Sequence, residues 1–266
     1  MKMIIICIRE IETYFGVIIM NQAMKTIEGW YSLHDFRNID WPKWKAATEA
    51  QREQALSEFK VLLSKWELVE ENKQGSHTVY TVAGQKADLM FMILRPTMKE
   101  IIEVKTEFNK TLLSDYTKPA YSYVSVIEKS SYSHMAANPF EDPDMRAKLY
   151  PSIPKTEYIC FYPMSKLRGE KTNWFMLPME ERKRLMFEHI DTGKPYSEQV
   201  KRIVTGSVGL DDYEWGVSLF CDDALQFKKL IYETRFDEVS AVYGIFGSFY
   251  IGNLLRQDQI NQFFQI

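Results

Sequence analysis

The chain lacks an apolar run long enough to cross a membrane. Its N-terminal stretch Ile4-Ile-Ile-Cys-Ile8 is broken by Arg9, Glu10 and Glu12, far short of the roughly 20 residues a spanning helix needs. No small-residue cleavage site follows, so a secretory leader is not expected. Cysteine is scarce. Cys7, Cys160 and Cys221 are odd in number and widely separated, which argues against a disulfide framework or a cysteine-rich metal cluster and favours a reducing cytosol. A surplus of one charge is missing too: the net charge is −3 with both signs interspersed, unlike the concentrated basic face of a nucleic-acid binder. Zinc motifs, a Walker loop, a dinucleotide fingerprint and a nucleophile elbow are all absent. Gly206-Ser-Val-Gly209 has neither the spacing nor the context of a phosphate loop, and Gly244-Ile-Phe-Gly247 reads as a bend within a strand.

What is present is a globular composition. The 266 residues are 45% hydrophobic and 26% charged, enough for two ordinary domains or one large one. Residues 1–19 read as an extension outside the functional chain. Thr26–Phe36 alternates as a first strand. Asp40-Trp-Pro-Lys then starts a helix, with Asp40 as N-cap and Pro42 in the first turn. Ala55, Leu56, Phe59, Leu62, Leu63 and Trp66 carry that helix onward with one apolar face. Strands are expected at His77–Val82 and Asp88–Arg95, a helix at Thr97–Asn109 with Met98, Ile101, Ile102, Val104 and Phe108 inward, and a fourth strand at Tyr121–Ile127. This strand–helix–strand–strand–helix–strand order is the ferredoxin-like unit.

The order then repeats. Tyr158–Tyr162 opens a second unit as a strand, and Pro178–His189 is strongly helical. Strands Val200–Leu210 and Glu214–Phe220, helix Ala224–Tyr232 and strand Ala241–Ile251 follow. Asp88 and Glu214 open matching strands. The expected fold class is therefore α+β: tandem ferredoxin-like units, residues 20–129 and 155–266, joined by a proline-rich linker at 130–154 and closed as an α+β barrel within one subunit.

Tyr158-Ile-Cys-Phe-Tyr-Pro-Met-Ser-Lys166 is the stretch with most chemistry to offer. Its first half reads as a buried strand, and Pro163 should end regular pairing just after Tyr162. A phenol, a thioether, a hydroxyl and an ammonium then stand where strand gives way to loop. Among the four histidines, His34 and His77 fall in strands and read as structural, and His134 falls in the linker and reads as solvated. His189 ends an amphipathic helix before Ile190-Asp-Thr-Gly193. It could offer a neutral nitrogen to iron, or simply complement the helix dipole when protonated. The many methionines and aromatics are core residues that would also suit a large flat macrocycle.

Several blocks together resemble the chlorite dismutase superfamily: Trp30-Tyr-Ser-Leu-His-Asp-Phe-Arg37, Tyr158–Lys166, Trp174-Phe-Met-Leu-Pro-Met-Glu-Glu-Arg182, Gly206–Gly216 and Phe246-Gly-Ser-Phe-Tyr-Ile-Gly252. More closely, they resemble the coproheme decarboxylases, the hydrogen-peroxide-dependent haem synthases of Gram-positive bacteria. The resemblance runs from Met20 to Ile266. It implies a cytoplasmic homopentamer with one porphyrin site per subunit, in the C-terminal half, and a transient contact with the ferrochelatase that supplies the substrate. The implied reaction is peroxide-dependent decarboxylation of two propionates of iron coproporphyrin III (coproheme) to vinyls, giving haem b through a three-propionate intermediate.

By position, the resemblance makes His189 the proximal iron ligand and Tyr162 the redox tyrosine that takes a hydrogen from the propionate β-carbon. Lys166 and Ser240 hold propionates, and Met164 lines that side. The chain departs from the pattern at two places. Lys148 stands where the family carries an arginine before Leu-Tyr-Pro, and lysine lacks the planar fork; Arg146 is a candidate to compensate. Arg202 stands where these decarboxylases carry a distal glutamine, unless the register slips and Gln199 fills that place. A distal arginine is the pattern of the chlorite-degrading relatives, so chlorite dismutation and non-catalytic haem carriage are the alternative functions.

Overall fold

The computed structural model describes residues 23–130 and 140–266. The proposed extension 1–19 and His134 lie outside them. Strand β1 (Thr26–Ile39) leads into α1 (Trp41–Ala46), where the Asp40 side chain accepts the Lys43 N–H and Pro42 sits in the first turn. The single long helix expected here is broken. Ala47 is extended and Thr48 caps a new helix, α2 (Glu49–Glu71), through a reciprocal capping box with Gln51, which satisfies two orphan donors at once. Strands β2 (Ser76–Val82) and β3 (Leu89–Arg95) follow, then α3 (Met98–Asn109), capped by Thr97. Helix α3 buries Ile101, Val104 and Phe108, a three- and four-residue spacing. Ile102 falls off that face and is exposed, against expectation. Strand β4 (Thr117–Ser130) completes the first half.

The stretch expected as a plain linker holds a helix, α4 (Pro143–Leu149), capped by Asp142. Leu149 and the following Ile153 are buried, which ties the segment down. Next come β5 (Tyr158–Lys166), α5 (Met179–Gly193), β6 (Lys201–Gly206), β7 (Trp215–Cys221) and α6 (Leu225–Thr234). Strand β6 is shorter than expected because the chain turns after Gly206, with Gly209 at φ +80°. Residues expected as one last strand divide into α7 (Glu238–Tyr243), β8 (Gly244–Phe246) and β9 (Tyr250–Leu254), followed by α8 (Ile260–Phe264). Asp237 accepts the Ser240 N–H and so starts a helix where strand periodicity alone would continue.

All the ladders are antiparallel. The sheet runs β7-β6-β4-β1-β3-β2-β9-β5-β8, and a further β5–β7 pairing closes eight of the strands into a ring. Each half shows the same internal order: β4-β1-β3-β2 in the first, β9-β5-β7-β6 in the second. The two acids opening matching strands serve matching ends. Asp88 Oδ2 accepts the Ile39 N–H at the end of β1 (2.7 Å), and Glu214 Oε2 accepts the Lys166 N–H at the end of β5 (2.8 Å).

Strand β5 does not stop at Pro163. It pairs with β7 as far as Met164, while on its other side the partner changes from β9, opposite Phe161, to β8, opposite Met164. Proline stands in that gap, where its missing N–H costs no ladder bond, and its carbonyl still accepts from Gly247 (2.8 Å). Alternation along β5 then sorts its side chains. Ile159 and Phe161 join the cluster between the two halves with Phe36, Tyr123 and Tyr250. Cys160, Tyr162 and Met164 face the other way, toward α6.

Phe161 is fully buried, 4.0 Å from the His34 ring and 5.5 Å from Tyr123. Phe161→Ala should therefore lower unfolding stability by about 3–5 kcal/mol. The shift of the chemical-denaturation midpoint checks this, and a change below about 1 kcal/mol would contradict the packing described.

Candidate functional site

Helix α5 brings Arg182, Leu185 and His189 to one face by their three- and four-residue spacing. The helix runs on to Gly193, so His189 is not its last residue as the sequence suggests. Its Nδ1 lies 2.7 Å from Asp237 Oδ2, and Ser240 Oγ lies 3.4 Å from the same nitrogen. The Asp237 side chain is 1% exposed, and its other oxygen accepts the Ser240 N–H at 2.8 Å. With both oxygens engaged, the carboxylate fixes the ring. An ionised carboxylate only accepts, so in the neutral ring Nδ1 carries the proton and Nε2 keeps its lone pair. Nε2 has no hydrogen-bond partner among the described residues.

Beneath this pair lies a small apolar cluster of Trp174, Leu185, Val239 and Tyr243. Lys166, 8% exposed, places its Nζ 4.9 Å from the Trp174 ring centre. Burial lowers its pKa to about 8, partly offset by Asp237 and Glu214. One acid thus holds the imidazole and also acts on the buried lysine. Two residues back along the same strand face is Met164, and four back is Tyr162. The Tyr162 ring stacks on Phe249 at 4.5 Å and is 6.0 Å from Phe246. Burial pushes its phenol well above the usual tyrosine range, with Cys160 adding to the rise and Arg235 and Arg202 opposing it. Tyr162 is therefore protonated at neutral pH.

Cations gather from four elements. Arg202 on β6 is exposed and donates to the Gly193 carbonyl at the end of α5 (3.4 Å). Lys129 on β4 has its pKa lowered first by burial, then by the neighbouring Lys148 of α4 and Arg202. Just past α6, the Arg235 guanidinium lies 3.7 Å over the Phe246 ring. Arg146 does not join them: it stacks on Tyr150 and lines a separate hollow with Trp30 and Lys73. Gln199 is exposed in the turn before β6. An apolar hollow of about 480 Å³ lies beside the site, bordered by Cys160, Phe227, Arg235 and Phe249.

The structure thus brings His189 and Ser240 together, sets Lys166 beside their acid, and places Lys148 and Arg202 each where they act on Lys129. Sequence reasoning missed Asp237, Lys129, Arg235 and Trp174. Asp237 carried a usable signal, since an acid three residues before Ser240 is an N-cap pattern. Among the described residues, no cluster of three or more His, Cys, Asp or Glu is placed to hold a metal ion, and no helix is long and apolar enough to cross a membrane.

The family model described as chlorite dismutase matches residues 52–255. A structure described as a novel heme-binding protein from Thermus thermophilus is 42% identical, with a TM-score of 0.88, covering 92% of this chain and 98% of that one. A mutant chlorite dismutase from Candidatus Nitrospira defluvii is similar at 22% identity and a TM-score of 0.72, covering 89% of this chain and 95% of that one. At that identity the second likeness speaks for the mixed α+β fold with its large antiparallel sheet.

Lys166 carries a pH signature. Its folded pKa, about 8, lies below the ordinary lysine value of 10.5, so between these values the unfolded chain binds the extra proton and stability rises with pH. Wild type should therefore gain stability relative to Lys166→Met from pH 8 to 10.5, with a slope of at most about 1.4 kcal/mol per pH unit. Denaturation curves across that window check it; parallel pH profiles would show that the ammonium is not desolvated.

Proposed function

The chain belongs to the chlorite dismutase family, and from that premise we propose that it binds an iron tetrapyrrole in its second half and works as a coproheme decarboxylase. In this reading, hydrogen peroxide is the oxidant and two propionates of iron coproporphyrin III become the vinyls of haem b. The observation that carries it is one strand face, Tyr162, Met164 and Lys166, whose Lys166 feels Asp237, the acid that holds His189. The similar Thermus protein is described as heme-binding, which supports the cofactor class.

The residues fit such a group. The carboxylate on His189 Nδ1 fixes the ring, selects the tautomer and raises the basicity of Nε2, the nitrogen that would hold iron. A single imidazole would suit an iron whose remaining ligands come with a macrocycle. When bound, the tetrapyrrole supplies peroxide-activating iron and the propionates that react. Lys166, buried yet charged below pH 8, is a donor waiting for a carboxylate, with Ser240 Oγ as a second. Tyr162 keeps its phenolic hydrogen because burial disfavours the phenolate. It must therefore lose proton and electron together, and the radical so formed can take hydrogen from a propionate β-carbon held close by. Lys148 with Lys129 supplies the charge that an arginine carries in related enzymes.

Chlorite dismutation is the second reading, favoured by Arg202, an exposed cation on the same sheet face as Tyr162; non-catalytic carriage is the third. The proposal also keeps a cytoplasmic homopentamer, a contact with the ferrochelatase that supplies coproheme, and the division into 20–129, 130–154 and 155–266. One assay separates the functions: mix the protein with ferric coproheme, add peroxide and follow porphyrin masses. Stepwise loss of two carboxyl groups is the expected result. Oxygen from chlorite with intact porphyrin would favour the second reading, and neither outcome would favour the carrier.

Two variants probe the roles. Tyr162→Phe should bind coproheme but lose turnover by roughly 100-fold or more, the scale for a positioned proton-transfer group; normal decarboxylation would remove its radical role. His189→Ala should weaken iron ligation and alter the iron spectrum. An unchanged spectrum would move the ligand elsewhere.

A further inference from the structure

A hollow of about 640 Å³ opens between the first half and the segment that follows it, bordered by Trp30, Lys73, Gly75, Arg146, Tyr150 and Ser152. None of these residues belongs to the His189 site. Trp30 and Tyr150 form its aromatic wall, their ring centres 5.7 Å apart and tilted by 57°. The Arg146 guanidinium lies 5.7 Å over the Tyr150 ring. Its Nη1 donates to the Phe140 carbonyl at 3.5 Å, and its other in-plane N–H groups remain available for an anion. Lys73 stands opposite in a left-handed conformation, φ 55°, which few non-glycine residues adopt. Ser152 adds a hydroxyl, and no acidic side chain is among the described residues that line the hollow.

The floor is built around Gly75. Any side chain there would meet the Leu94 carbonyl and the Arg95 guanidinium at 2.6 and 2.7 Å, so only glycine keeps this wall thin. Behind it, Arg95 is 3% exposed. Its Nη1 donates to the Leu94 and Ser76 carbonyls, while its buried Nη2 has no partner. Glu70, on α2 just before this turn, is already engaged by Ser76 and Lys155. Two exposed cations, Lys73 and Arg146, therefore line the hollow with no acid beside them in its lining, while Arg95 behind the floor is matched by Glu100, Glu107 and Glu70.

We propose that this hollow binds a small organic anion: a phosphate or carboxylate carried on a flat ring. Lys73 and Arg146 hold the head group, and the Trp30–Tyr150 wall takes the ring. The volume suits a ligand of that size. This inference stands apart from the proposed reaction, because it uses none of that site's residues.

Calorimetric titration of the full chain with 1-naphthyl phosphate, 1-naphthoate and inorganic pyrophosphate tests it. At least one aryl anion should bind saturably and lose affinity on added salt, and the tighter of the two names the head group. Lys73→Ala and Arg146→Gln should each weaken it roughly tenfold or more, whereas His189→Ala should leave it unchanged. Four results would overturn the proposal: no saturable binding at millimolar probe, salt-independent binding, affinity unmoved by both cation variants, or loss in His189→Ala. Pyrophosphate binding as tightly as the aryl anions would overturn the role of the aromatic wall.

Discussion

The second half is arranged around the carboxylate of Asp237. One oxygen fixes His189 on α5 and the other caps α7 through the Ser240 N–H. Its charge also offsets part of the desolvation of Lys166 at the end of β5. Three elements thus meet at one buried acid. Leaving that acid unpaired would cost far more than any single contact returns, so the imidazole, the cap and the lysine are held in fixed relation. The apolar cluster below, with Trp174 under Lys166 and Leu185 under α5, keeps water from relaxing the arrangement.

Two halves share a strand order, yet only the second carries the histidine and its acid. In the first half, α2 presses Ala55, Phe59, Leu62, Leu63 and Trp66 toward its sheet, and Phe91 and Phe108 complete the packing. That face is sealed. In the second half, the corresponding helix α5 buries only Arg182, Leu185 and Gly193. The strand face of Tyr162 and Met164 is covered instead by α6 and by Phe246 and Phe249. The same topology therefore gives a sheet face sealed by the crossover helix in one case and, in the other, a crossover helix that turns His189 toward Asp237.

Much of this was legible in the sequence, for local reasons. Period-two alternation found the strands, and the repeated element order implied the paired halves; Asp88 and Glu214 marked equivalent strand starts. The misses were cases where a local signal met a non-local one. Pro163 argues for a strand end, but the strand persists because its partner changes at that position. Strand-like residues at 241–251 yielded to the Asp237 cap. His189 was visible as a ligand candidate, while its holder was not: Asp237 lies 48 residues away, and nothing in spacing alone joins the two. Lys129 was hidden for the same reason, as one polar residue near the end of a strand whose neighbours come from α4 and β6.

Lys129, Lys148 and Arg202 bear on selectivity in the proposed reaction. Each comes from a different element, and Lys129 loses basicity in part because the others stand near it. Like charges so placed destabilise the empty protein and are relieved when an anion enters. An array of this kind favours a substrate with several carboxylates over one with few, since each added carboxylate removes repulsion as well as making a contact. It does so even though lysine at position 148 lacks the geometric fork of arginine. In that reading Arg202 would have a role that does not require chlorite, as one cation of a rim whose strength depends on the charge of what enters.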